Sequence, residues 1–167
     1  MNRNLYVVMG ITGSGKSTVG ARLAEALGVD FVEGDDYHPP ENVRRMSAGI
    51  PLTDDDRAGW LRALAARLRE ASESGTGLVV TCSALKQSYR DLLRAAAPEV
   101  RFVYLKGSRE LIAERVTGRL DHFMPASLLD SQFATLEEPA LDERVWTCDI
   151  EHAPQQIVDD IVARAST

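Results

Sequence analysis

The sequence predicts an α/β fold with a mostly parallel five-stranded sheet and helices on both faces. Two observations carry that prediction. Five short apolar runs alternate with longer stretches of helical period, an order that pairs strands in parallel through right-handed crossovers. Most of the runs are continuous rather than alternating, as strands covered on both faces should be. The length, 167 residues, suits one domain of about 100–200 residues with a sizeable core.

Taken in chain order, Leu5–Met9 is the first expected strand. Val19, Leu23 and Leu27 recur at spacing four and predict a helix that begins near Lys16. Asp30-Phe31-Val32 is a short second strand. Glu33–Leu52 breaks the pattern with charge, Pro39-Pro40, Gly49 and Pro51, leaving room for one short helix. Thr53 followed by Asp54-Asp55-Asp56 reads as an N-cap and acidic first turn. The apolar face Trp60, Leu61, Leu64, Ala65 and Leu68 continues that helix. Leu78–Thr81, Phe102–Leu105 and Val145–Cys148 are the remaining strands. Leu92-Leu93, Leu111-Ile112, Leu128-Leu129-Phe133 and Ile157-Val158-Ile161-Val162 mark further helices. Arg119–Ser127 is a polar and aromatic insertion. Irregular segments of this kind carry sites in α/β domains.

Composition narrows the partners. Nineteen Lys+Arg against 25 Asp+Glu leave a net charge of −6, whereas a domain built for duplex DNA or an anionic membrane is more often basic. No nucleic-acid or membrane partner is therefore expected. Two cysteines, Cys82 and Cys148, make no disulfide framework and suit a reducing compartment. The N-terminal apolar run is too short for a signal-peptide core or a membrane span, so a cytoplasmic protein is expected. Cys82, Cys148, Trp60 and Trp146 are read as core residues rather than ligands.

Gly10-Ile11-Thr12-Gly13-Ser14-Gly15-Lys16-Ser17 fits G-x-x-x-x-G-K-[ST] without a mismatch. It lies between a predicted strand and a predicted helix, the context the motif needs. Its glycines let successive N–H groups converge on an anion, and the helix start adds its positive dipole end. Lys16 should reach the β- and γ-phosphates, and Ser17 should ligate Mg²⁺. Gly10, Thr12, Gly13, Ser14, Gly15 and Thr18 complete the expected nucleotide cradle. The alternative is a glycine-rich turn that matches by chance.

The motif implies a nucleoside triphosphate but not the reaction. A guanine-selecting N-K-x-D is absent from the chain, and Asp56-Arg57-Ala58-Gly59, which matches D-x-x-G, falls on a predicted helix. The third strand runs into Thr81-Cys82-Ser83 with no terminal Asp. These features point away from a switch GTPase or a large mechanical ATPase and toward a compact small-molecule kinase. Glu33-Gly34-Asp35-Asp36 follows the second strand, at the sheet edge where ligands bind. Three carboxylates there can orient an acceptor hydroxyl, take its proton and help hold a metal. The alternative is a solvated acidic turn; Tyr37-His38-Pro39-Pro40 beside it favours a shaped wall.

Further blocks add specificity. Pro51–Arg57 with Trp60-Leu61, Cys82–Lys86, Tyr104–Gly107, His122-Phe123-Met124-Pro125, Ser131-Gln132-Phe133 and Leu136-Glu137 follow the phosphate loop and acidic turn in order. Together they resemble the gluconokinases of the P-loop type, relatives of shikimate and nucleoside monophosphate kinases, from Leu5 to about Ile150. The resemblance implies a three-layer P-loop kinase fold with a helical lid at about 115–136 and an acceptor-side segment at about 33–52. It implies ATP and Mg²⁺ as cofactors, D-gluconate as small-molecule substrate, 6-phosphogluconate as product, and commonly a homodimer. Matched to shikimate kinases, Asp35 falls at the carboxylate that meets the substrate hydroxyl, and Glu33 near the metal, directly or through water.

The same resemblance makes Arg119 the lid arginine. Relatives often carry a second basic residue next, where this chain has Leu120, and Arg115 is a substitute one turn earlier. A gluconate carboxylate needs a cation, for which Arg44, Arg45, Lys86 and His38 are candidates. Of the adjacent Arg44 and Arg45, only one is expected to face the pocket. His122 is a candidate pocket residue on its block alone, and His152 reads as a surface residue. Two alternatives stay open: a kinase for shikimate or another sugar acid, and a regulatory protein that binds ATP without turnover.

Overall fold

The computed structural model describes residues 4–117 and 126–166. Five strands form one sheet: β1 (Leu5–Met9), β2 (Asp30–Glu33), β3 (Leu78–Thr81), β4 (Arg101–Lys106) and β5 (Trp146–Asp149). Their order is β2-β3-β1-β4-β5, and all four pairings are parallel, with Val7 opposite both Val80 and Phe102. Seven α-helices accompany them among the described residues: α1 (Lys16–Leu27), α2 (Pro40–Ser47), α3 (Asp54–Ser74), α4 (Gln87–Ala96), α5 (Arg109–Thr117), α6 (Ala126–Thr135) and α7 (Pro154–Ala165).

The layers follow from the two-residue period of β1. Leu5, Val7 and Met9 pack with Leu64 and Leu68 of α3 and Leu93 of α4. Tyr6 and Val8 face the other way, toward Val19 and Leu23 of α1 and Ile157 and Ile161 of α7. Both faces of β1, β3 and most of β4 are buried, which explains their continuous apolar runs. The outer strands differ. β2 and β5 are only half-buried, because each pairs on one side alone.

Local chemistry sets the elements that carry the site. At Gly15 φ is +96° just before α1, a conformation that costs L side chains energy and glycine little. The expected cap of α3 is a full capping box: Thr53 Oγ1 accepts from Asp56 N at 3.1 Å, and Thr53 N donates to Asp56 Oδ2 at 2.9 Å. Asp56-x-x-Gly59 thus belongs to a helix start, as its position in the sequence implies. All five strands run parallel, so the phosphate loop, the acidic turn and Cys82-Ser83 share the carboxyl edge of the sheet, the ligand-binding edge of such folds.

Candidate functional site

The phosphate loop spans β1 to α1. The Lys16 side chain lies back along it, donating to Gly10 O at 3.1 Å and Ile11 O at 3.3 Å. Thr12 N donates to Oε1 of Gln132 on α6 at 2.9 Å. The Ser14 hydroxyl is buried and has no hydrogen-bond partner among the described residues, which is unusual for a buried polar group. Ser14 N closes the turn onto Ile11 O at 3.0 Å.

Beside the loop, Ser17 Oγ donates to Glu33 Oε2 at 2.6 Å. The other carboxylate oxygen accepts from Thr81 Oγ1 at 2.5 Å, and the same hydroxyl accepts from Gly34 N at 3.0 Å. Thr81 therefore occupies the end of β3, which carries no terminal Asp, and holds the end of β2 in place. Ser17 and Glu33 form a hard oxygen pair that fits Mg²⁺, an ion that keeps few protein ligands and fills its shell with phosphates and water. Among the described residues no cluster of three or more His, Cys, Asp and Glu could hold a metal by itself.

The acidic turn is pinned by its neighbours. A Cβ on Gly34 would lie 1.8 Å from Thr81 O, so only glycine fits there. Trp60 Nε1 donates to Gly34 O at 2.8 Å. The Trp60 ring also stacks on His38, with centroids 4.0 Å apart and planes at 16°. Trp60 is buried as expected, but it also shapes the site. His38 Nδ1 lies 3.2 Å from Asn42 Nδ2. Burial holds the His38 pKa below the usual value; Asp35 opposes that and Arg57 adds to it. The lowered value favours the neutral ring.

One cavity joins these parts. Thr12 and Lys16 line its donor side, Asp35, His38, Arg57 and Trp60 its acceptor side, and Leu128, Ser131 and Gln132 of α6 close it. Of the four cations proposed for a substrate carboxylate, only His38 lines this cavity. Arg44 is exposed. Arg45 is drawn off by Asp56, at 3.1 and 3.2 Å, and by Glu41 at 3.1 Å. Lys86 donates to both oxygens of Asp54, at 2.9 and 3.2 Å. The acidic start of α3 thus captures two of the expected substrate cations.

Among the described residues, the guanidinium in the cavity is Arg57, which no sequence argument singled out. Its signal was available: Arg57 lies one helical turn before Trp60-Leu61, inside a block already recognised as distinctive. Gln132 likewise falls in the Ser131-Gln132-Phe133 block, where the sequence alone gives it no role. Arg115 donates to Ile150 O at 2.6 Å, so it ties α5 to the segment after β5 rather than substituting over the phosphate loop. Arg119 and His122 lie outside the described residues, as does the central part of the expected lid.

The remaining sequence readings divide. Cys82 is buried and its thiol is pushed up to about 12, chiefly by desolvation, which keeps it protonated and inert. Cys148 is only half-buried, because β5 is an edge strand. Trp146 is half-buried for the same reason, with the Arg101 guanidinium 4.3 Å and the Arg164 guanidinium 5.8 Å from its ring centre. His152 is exposed, as expected.

Known proteins share this architecture. Residues 5–139 match the family model described as an AAA domain. A gluconokinase of Gluconobacter oxydans is 49% identical, over 93% of this chain and 88% of its own. The crystal structure of a gluconokinase from Sinorhizobium meliloti superposes with a TM-score of 0.88 at 51% identity, covering 98% of this chain and 91% of that one. An unliganded sugar kinase from Janibacter superposes with a TM-score of 0.91 at 45% identity, covering 96% and 93%. With identities this high across nearly the full length of each relative, the chain belongs to the gluconokinase family of P-loop kinases.

Proposed function

We infer that this chain transfers the γ-phosphoryl group of ATP to the 6-hydroxyl of D-gluconate, releasing ADP and 6-phospho-D-gluconate. The observation that carries the reading is the cavity in which Thr12 and Lys16 of the phosphate loop face Asp35, His38 and Arg57. The relatives named gluconokinase support the choice of acceptor.

Phosphoryl transfer is chiefly positioning and charge neutralisation. The acceptor oxygen bonds to the γ-phosphorus as the bond from phosphorus to the bridging oxygen of ADP breaks. Asp35 orients the hydroxyl and accepts its proton. Lys16 leaves its carbonyl contacts to meet the β- and γ-phosphates, while the backbone of Gly10, Thr12, Gly13, Ser14, Gly15 and Thr18 cradles the chain of phosphates. Ser17 and Glu33 would hold Mg²⁺, Glu33 directly or through water. When bound, the ion neutralises charge on the phosphate oxygens.

Arg57 pairs with the gluconate carboxylate, since a guanidinium matches a carboxylate in two parallel hydrogen bonds. Neutral His38 serves a substrate hydroxyl. Arg119 and His122 enter from the lid on the strength of the resemblance, Arg119 bracing the transferred phosphoryl group. Arg119→Ala should then lower kcat more than it raises the gluconate KM; an unchanged kcat removes Arg119 from the chemistry. A homodimer, on the same resemblance, in the reducing cytoplasm that the two cysteines suit, completes the reading. Among the described residues no helix is long and apolar enough to cross a membrane.

The test is ADP release from Mg-ATP with D-gluconate, shikimate, AMP, glucose or no acceptor. Release that requires gluconate is expected. If shikimate or another acceptor drives it instead, the acceptor assignment falls while the phosphate loop stands. ATP binding without any acceptor-dependent release would make the chain a nucleotide-binding regulator.

A further inference from the structure

Arg57 does not stand alone in the cavity wall. Its NH1 group donates to the Tyr89 hydroxyl at 3.0 Å, and its Cζ lies 5.7 Å from the centre of the Tyr89 ring. The same hydroxyl donates to Asp54 Oδ1 in a short hydrogen bond. Asp54 in turn accepts from Lys86 Nζ at 2.9 and 3.2 Å, and that ammonium lies 5.7 Å from the Tyr89 ring centre. Asp54 and Arg57 sit in the first turns of α3, Tyr89 in the first turn of α4, and Lys86 just before α4. The chain of contacts joins the starts of two helices at the edge of the sheet that carries the site.

We propose that Tyr89, braced by Asp54 and Lys86, is a positioning residue that aims the Arg57 guanidinium at the substrate carboxylate and so selects sugar acids over neutral polyols. The proposal rests on the assignment of Arg57 to that carboxylate. Three physical points support it. First, Tyr89 is buried, only 6% exposed, so its ring is a fixed support for a long and otherwise mobile side chain. Second, one guanidinium donor is spent on the hydroxyl, which leaves the other donors of the rigid fork for the cavity that Arg57 lines. Third, the hydroxyl stands between Arg57 and the Asp54 carboxylate.

That third point decides the charge. A direct Arg57–Asp54 pair would neutralise the cation meant for the ligand. Here Lys86 pairs with Asp54, and Arg57 is anchored through a neutral group. Asp54 is held below the ordinary carboxylate range, first by the Tyr89 hydrogen bond and then by that of Lys86. Burial, then the bond to Asp54, holds Tyr89 above the ordinary phenol range. The proton therefore stays on Tyr89 at neutral pH, and the hydrogen bonds keep one direction.

The experiment measures kcat and KM for D-gluconate, and the inhibition constant of D-gluconamide as a competitor, in the parent and three variants. D-gluconamide has the same polyol chain without the charge. Tyr89→Phe removes the hydroxyl and keeps the ring. It should raise the gluconate KM roughly tenfold, the scale of one charge-assisted hydrogen bond. Its kcat, ATP KM and gluconamide inhibition should stay within about twofold of the parent. Asp54→Asn, at an exposed position, should shift the gluconate KM in the same direction by roughly threefold, and carries the test if Tyr89→Phe proves unstable to heating.

Arg57→Met separates the two ideas. If it erases the preference for gluconate over gluconamide while Tyr89→Phe and Asp54→Asn leave that preference within twofold of the parent, Arg57 keeps its role and the positioning proposal is overturned. Equal weakening of gluconate and gluconamide by Tyr89→Phe overturns it too, since that marks a general disturbance of the pocket. If Arg57→Met itself keeps the preference, the Arg57 assignment fails and takes the proposal with it.

Discussion

The two halves of the site are built in different ways. The donor half is one unbroken stretch, Gly10–Ser17, set between a buried strand and the helix it starts. The acceptor half draws Asp35 and His38 from the turn after β2, Arg57 and Trp60 from α3, Ser83 from the loop after β3 and Gln132 from α6. Contiguity made the donor half legible, because its chemistry depends on backbone spacing within a few residues. The acceptor half depends on which of several cations escapes pairing with a nearby carboxylate. Asp54 and Asp56 take Lys86 and Arg45 respectively, and Arg57 keeps its place in the cavity.

The sharpest way to break this comparison is at Asp35. Asp35→Asn should keep ATP affinity and lower turnover on the order of a hundredfold or more, the contribution of a general base. Near-normal kcat would remove Asp35 from the chemistry. At Gly34, an added Cβ would meet the Thr81 carbonyl at 1.8 Å. Gly34→Ala should cost roughly 2–3 kcal/mol of stability, as overpacking against backbone does, read by denaturant titration. A variant as stable as the parent would mean that the turn relaxes freely and that the acceptor half is less rigid than its contacts imply.

Arg57→Met should raise the gluconate KM roughly thirtyfold, from the loss of a charge-assisted pair, with ATP KM unchanged. Steady-state kinetics at fixed Mg-ATP checks this. The ion pair behind α4 gives a smaller effect that should spare the site. Arg90 and Glu143 are 0% and 3% exposed and 2.7 Å apart. The hydrogen bond from Arg90, assisted by Ala140 N and Arg94, holds the Glu143 carboxyl down to about 2 from an ordinary 4.5. A lowered acid pKa stabilises the fold above the unfolded value, and that contribution is lost as pH falls from about 4.5 through about 2. Thermal midpoints between pH 7 and pH 2 should therefore fall more steeply in the parent than in Glu143→Gln. The smallest effect is expected at Arg44, which is exposed. Arg44→Ala should leave the gluconate KM within about twofold, as surface substitutions usually do; a large rise would return the carboxylate to α2.

Much of the fold was legible because it rests on local periodicity. The continuous runs at β1 and β3 announced strands buried on both faces, and Thr53 with its acidic turn announced the start of α3. The same reasoning overstated burial at Cys148 and Trp146. An apolar run does not say whether its strand is central or at an edge, and β5 has a partner on one side only. It also left Trp60 as core alone. A tryptophan can bury its ring and still turn its N–H and one face to a site, as this one does toward Gly34 and His38.

By itself the sequence determined the fold class, the phosphate loop and the acidic turn, since each is encoded by residues close together in the chain. Hydrophobic period, glycine at positive φ and carboxylates after a strand act over distances that spacing can measure. Only the tertiary structure decided which cation faces the cavity, because that choice depends on charge partners 11 and 32 residues apart, Arg45 with Asp56 and Lys86 with Asp54. Ion pairing falls off with distance in space rather than along the chain. A residue's neighbours in the fold therefore settle whether its charge is spent or kept.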